Sequence, residues 1–160
     1  FFREPVIALR EALRVVREDG RVALVVWAPK EANPFFSTTA DVIERFGEVP
    51  PLAPDAPDAF RFSVSGKLAA VLETAGAKDV IERQLDFQIQ GETSFEQFWQ
   101  LRTEMSEVLR DRLAGLSPDQ ILFIQQAVSD LARRYFENGR MNFPARALIV
   151  TGRKFSQPAR

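Results

Sequence analysis

The chain contains neither cysteine nor histidine. Without cysteine there is no disulfide, no thiolate nucleophile and no sulfur-ligated metal. Without histidine the commonest metal ligand is gone, together with the His-based catalytic triad and the usual proton shuttle near neutral pH. An excess of charge is missing as well, since 21 Lys and Arg stand against 22 Asp and Glu. Nothing therefore marks the chain for nucleic acid or an anionic membrane surface. No apolar run approaches the roughly 20 residues that cross a bilayer. Phe1-Phe2-Arg3-Glu4-Pro5 lacks the basic start and apolar centre of a signal peptide, so a cytoplasmic location is expected. The eight glycines never stand as G-x-G, which removes the glycine-rich turns that cradle phosphates. Nucleophile elbows are absent, and the carboxylates are scattered without metal-ligand spacing, so no metal is expected.

What is present is an ordinary globular composition, 46% hydrophobic and 27% charged over 160 residues, enough for one domain. Pro5 suits the first turn of a helix, Val6, Leu9, Leu13 and Val16 recur at helical spacing, and Gly20 closes the pattern. Arg21 to Ala28 is an apolar run ended by Pro29, the pattern of a strand covered on both faces in a parallel α/β sheet. Helix, glycine turn and buried strand make the second half of a βαβ unit whose first strand would lie before Phe1.

A short helix is expected over Asn33 to Gly47, with Asn33 as cap and Phe35, Phe36, Ala40, Ile43 and Phe46 as its apolar positions. Pro50 to Pro57 must be a stiff surface loop. Ser65 is placed to cap a helix running to Thr74, with Leu68, Val71 and Leu72 inward and Gly76 as the stop. Residues 79–90 alternate as a half-buried strand through Val80, Ile81, Leu85, Phe87 and Ile89. Ser94-Phe95-Glu96-Gln97 and Ser117-Pro118-Asp119-Gln120 have the form of capping boxes, opening helices to about Leu113 and to Asn138. Phe95, Phe98, Trp99, Met105, Val108 and Leu109 form the stripe of the first, and Ile121, Ile124, Val128, Leu131 and Tyr135 that of the second. Ala145 to Gly152 is a short apolar strand. The expectation is an α/β chain: a three-stranded mixed sheet (21–28, 79–90, 145–152) with about five helices, one partial domain over 1–160.

Three stretches resemble the C-terminal half of the Rossmann-like, class I S-adenosylmethionine-dependent methyltransferases, in the small-molecule group related to ubiquinone- and menaquinone-biosynthesis enzymes. Ala8-Leu9-Arg10-Glu11-Ala12-Leu13-Arg14-Val15-Val16-Arg17-Glu18-Asp19-Gly20-Arg21 is similar to the family's helix, Pro-Gly-Gly turn and fifth strand, with Glu18-Asp19-Gly20 at the turn. Phe62-Ser63 through Leu68, Leu72 and Ala75-Gly76-Ala77 is similar to the helix that ends in Gly-Phe, with Ala77 for the Phe. Ala147-Leu148-Ile149-Val150-Thr151-Gly152-Arg153-Lys154 is similar to the last strand. Between the second and third, residues 94–138 correspond to a helical insertion that caps the acceptor pocket.

The resemblance implies a methyltransferase acting on a small or lipid-like acceptor, with S-adenosylmethionine as cofactor of the full-length protein. The Gly-rich turn and the acidic residue that hold this cofactor have no counterpart here, so the chain alone is expected to bind none and to be inactive. It further implies that 145–152 lies between 21–28 and 79–90, antiparallel to both. The free edge of 21–28 would then join a second copy in a homodimer. Strand C-terminal ends bind ligands in such sheets, which singles out Trp27, then Phe35 and Phe36, as substrate-binding residues. Trp99, with Phe98, and Tyr135 would roof the pocket, and Arg140 would meet an anionic acceptor. Each has a plainer reading: helix packing for Phe98 and Trp99, core for Phe35 and Phe36, solvation for Arg140 and for Arg153-Lys154. Glu31 or Asp41 stands as a possible base, with no catalytic residue assigned. The alternative function is a non-catalytic, methyltransferase-like interaction module.

Overall fold

The computed structural model of the chain describes residues 2–45 and 56–154. Phe46 and most of the Pro-rich stretch lie outside the described residues. Helix α1 (Pro5–Val15) leads into strand β1 (Arg21–Trp27), a 3₁₀ turn (Lys30–Ala32) and α2 (Pro34–Glu44). Next come α3 (Lys67–Thr74), β2 (Lys78–Gly91), α4 (Phe95–Met105), α5 (Glu107–Ala114) and α6 (Pro118–Ala132). A second 3₁₀ turn (Arg133–Tyr135), β3 (Phe136–Glu137) and β4 (Arg140–Arg153) follow.

Among the described residues the sheet has the order β1-β4-β2, and β3 also pairs with β4. β1 and β4 run antiparallel from Arg21 opposite Arg153 to Trp27 opposite Ala147, and β3 is antiparallel to β4, Phe136 opposite Met141. Between β2 and β4, side-chain links run from Arg153 to Asp79, Thr151 to Ile81, Arg146 to Asp86 and Gln90 to Asn142. One strand descends as the other climbs, so this pair is antiparallel too. The last strand therefore does lie between the other two. The expected three-stranded mixed sheet is corrected to four strands with antiparallel neighbours. Among the described residues the five expected helices become six, because Ser106 ends α4 and its hydroxyl accepts from the Leu109 N–H to open α5.

The other large departure concerns 133–144, where a helix was expected to reach Asn138. Instead Asn138 and Gly139 both take positive φ, 49° and 73°. This Asn-Gly pair forms the two-residue hairpin turn that matches strand twist, and β4 starts at Arg140. Pro144 sits inside β4 between its pairings with β3 and β1. The Ala28 N–H donates to the Arg146 carbonyl. By alternation the Pro144 nitrogen turns to that same side, where neither strand reaches it, so its missing N–H breaks no ladder bond.

The residues separate into two units. The first contains Phe1–Lys30, Leu52–Asp86 and Arg146–Arg160. Its core joins Leu13, Leu68, Leu72, Ala75, Ala77 and Val150, with Val22, Leu24, Val26 and Val80 packed against them. α1 and α3 thus cover one sheet face. The other face is open: Val25, Ile81 and Leu85 are 64%, 47% and 45% exposed, which corrects the expectation that both faces of 21–28 are covered. Helix ends are satisfied by distant groups. Glu82 on β2, in place of Ser65, caps α3 by accepting from the Gly66 N–H and the Ser65 hydroxyl. Lys154 donates to the Arg14 and Val16 carbonyls at the end of α1 and pairs with Glu18 at 3.0 Å. The turn after α1 places Asp19, not Gly20, in the left-handed region. Arg153-Lys154 is accordingly a tethered strand end, Arg153 pairing with Asp79 at 2.9 Å.

The second unit contains Glu31–Pro51 and Phe87–Ala145. α2, α4, α5 and α6 enclose Phe35, Val42, Ile43, Phe98, Leu109, Ile124, Val128 and Ala132 against Met141 and Phe143 of β4. Both capping boxes form: the Ser94 hydroxyl accepts from the Gln97 N–H, Ser117 from Gln120, and each glutamine side chain accepts from its serine N–H.

Candidate functional site

The residues singled out for an acceptor pocket are divided between the two units. Trp27 is the half-buried last residue of β1, in the first unit. Phe35, Phe36, Trp99, Tyr135 and Arg140 belong to the second. Phe35 is a core residue, 5% exposed, its ring edge-on to Phe36, Phe98 and Phe143 at 5.1, 5.5 and 5.6 Å between centroids. Phe98 lies flat on Phe143 at 5.0 Å, and Tyr135 stacks on the same ring at 4.5 Å. Trp99 and Phe36 pack against this cluster while keeping part of their surface in solvent. Arg140 is exposed beside the hairpin turn, opposite Glu137. Four of the six residues therefore share one aromatic cluster. Glu31 is exposed in the 3₁₀ turn, and Asp41 is half-buried on α2.

At the centre of the cluster is a residue the sequence reading passed over. Arg102 on α4 is only 6% exposed. Its guanidinium carbon lies 5.1 Å from the Phe35 ring centre and 5.0 Å from that of Phe36. Its Nε is fully enclosed and has no hydrogen-bond partner, and among the described residues no carboxylate pairs with the guanidinium. Burial pushes the group down from its usual value to about 10. Two rings stabilise a desolvated cation by about 2 kcal/mol or more each. Desolvating the ion costs several kcal/mol, and an enclosed donor without an acceptor adds about 1–3 more. Burial still leaves the charged form disfavoured, as the lowered value shows.

A second polar atom is stranded on α2. Thr39 is wholly buried, and its hydroxyl has no partner. On α2 it stands four residues after Phe35 and three after Phe36, on their face of the helix. The signal for Arg102 was present in the sequence. Position 102 falls four residues after Phe98 and three after Trp99, inside the apolar stripe, where a full charge is out of place.

The chain's strand-to-helix junctions do not fit S-adenosylmethionine. From β1 the path to α2 runs through Pro29, the 3₁₀ turn and Asn33-Pro34 without a glycine. From β2 to α4 it holds Gly91 alone, where an added Cβ would meet Thr93 at 3.1 Å. No glycine-rich loop opens a helix toward a ligand at either place. Among the described residues no group of three His, Cys, Asp or Glu side chains is placed to hold a metal, and no helix is long and apolar enough to cross a membrane.

Searched against protein-family models, the chain matches none, and no curated protein matches it.

Proposed function

We propose that this chain is the acceptor-side part of a class I S-adenosylmethionine-dependent methyltransferase acting on a small or lipid-like acceptor. The observation that carries the reading is the strand order: β4, from the C-terminal stretch, is inserted antiparallel between β1 and β2. That is the arrangement the family resemblance implies for its last three strands. The two other stretches of resemblance lead through α1 into β1 and through α3 into β2. Since the junctions here do not fit the cofactor, residues outside this chain must supply its site, and no transfer step is assigned to residues of this chain. Their part is to hold the acceptor and exclude water, since positioning supplies much of the rate of an in-line displacement. Phe36, Trp99 and Tyr135 are the side chains available for that role.

The open edge of β1 is read as a homodimer contact, and the location as cytoplasmic. The exposed Val25, Ile81 and Leu85 on the uncovered sheet face favour a second reading, a non-catalytic interaction module. One measurement separates the two: calorimetric titration with S-adenosylhomocysteine of this chain and of the whole polypeptide its gene encodes. Methyltransferase function requires binding by the whole product and none by this chain. Failure of both to bind leaves the interaction module.

A further inference from the structure

Arg102 is a buried cation without an anion among the described residues. Arg102 and Thr39, each more than nine-tenths buried, carry an enclosed N–H and an enclosed hydroxyl without a partner. Arg102 lies over the rings of Phe35 and Phe36, and Thr39 follows those residues on α2 by four and three positions, on their face of the helix. Natural structures leave few such groups unsatisfied, and the two together describe a place from which an acceptor is missing. We propose that Arg102 anchors a binding site for a small organic carboxylate with a flat apolar or aromatic body, received between α4 and α2.

The chemistry selects this class. A guanidinium presents paired N–H donors that match the two oxygens of a carboxylate. Among the described residues Arg102 is the only cation over these rings, which suits a monoanion. A phosphate dianion would call for further positive charge, and among the described residues no second cation lies over these rings. The Thr39 hydroxyl supplies a further donor. The perpendicular rings of Phe35 and Phe36, 82° apart, present apolar walls to the body of the ligand. Phe36 and Trp99, one turn before Arg102, retain solvent exposure and mark the side of entry. The site stands on this geometry alone and holds whether or not the chain serves methyl transfer.

The test uses benzoate, with neutral benzamide and inorganic phosphate as comparisons, and follows the side-chain Nε–Hε resonance of Arg102 by NMR. Benzoate is expected to move that resonance saturably, while benzamide and phosphate leave it in place. Arg102→Lys keeps the charge but loses the fork and should weaken benzoate binding about 10-fold. Arg102→Met should abolish benzoate binding and melt no lower than wild type, because it removes an uncompensated buried charge. An Arg102 resonance that benzoate does not move overturns the proposal. A response to phosphate alone overturns the choice of carboxylate. A less stable Arg102→Met in a protein that ignores benzoate identifies Arg102 as a packing residue only.

Discussion

Gly152 lies where α3 presses closest on β4. A Cβ there would stand 2.9 Å from Leu72 Cδ2 and 3.0 Å from the Ala77 Cβ, and both neighbours are buried. Gly152→Ala should therefore cost about 1–3 kcal/mol through overpacking, read as a lower urea midpoint with an unchanged slope. Asp86 has a different dependence. The hydrogen bond from Arg146, and then that from Gln84, holds its carboxyl below the usual 3.8. A carboxylate lowered by folding contributes stability above its unfolded value and loses it as pH falls through the folded one. Wild type should exceed Asp86→Asn by a constant, small amount at neutral pH. That margin should shrink only once pH drops below 3.8, as paired denaturation curves across the acid range would show. Arg102 is the opposite case, a charge the fold would hold more comfortably if neutral.

Elements with local signals were the legible ones. Ser94 and Ser117 each stand three residues before a glutamine, and both boxes close as their spacing demands. Ser117→Ala should cost about 1 kcal/mol, measurable as a drop in melting temperature. The Asn138-Gly139 turn carried an equally local signal, but Tyr135 continues the 3.6-residue stripe of α6 and concealed it. Gly139→Val would force a β-branched residue to the φ of 73°. It should destabilise the β3–β4 hairpin by about 1–3 kcal/mol, seen as faster exchange of the Arg140 amide, which faces Glu137 across the turn.

Other features were illegible for tertiary reasons. β4 buries Met141, Phe143, Ala145 and Ala147, then Leu148, Val150 and Gly152. The buried side thus changes faces within one strand, so the first part alternates while the second reads as an apolar run. β2 makes the same change between Val80 and Phe87. Period alone locates a strand but does not announce that it serves two cores. The stripe assigned to 94–113 failed at Met105 and Val108, on either side of Ser106, for a related reason, while Leu109 is buried as expected. Once the helix breaks at Ser106, Met105 and Val108 become 61% and 58% exposed. Four of the six residues expected at a pocket share one aromatic cluster, whereas Arg102 was missed because a stripe is read by its apolar members.

At the scale of the whole molecule, β1 is an edge strand. The Ala28 N–H bond to Arg146 fixes which backbone groups face β4, and by alternation Ala23 and Val25 turn theirs the other way. Edges of this kind pair readily with another chain. Sedimentation should show a dimer. Ala23→Pro, which removes a donor pointing away from β4, should yield a folded monomer with an unchanged circular dichroism spectrum. A wild-type monomer at high concentration would remove the dimer reading.

The register of that same sheet also has a consequence for how the chain is made. Trp27 finds its partner in Ala147, and Arg21 in Arg153, so β1 leaves the ribosome long before the strand it pairs with. At about 5–20 residues per second it waits several seconds for β4. The second unit draws nothing from beyond Ala145 and can be complete while β4 is still emerging. Birth order and chain order are thus reversed for the two units: the one that begins the sequence is the last to close.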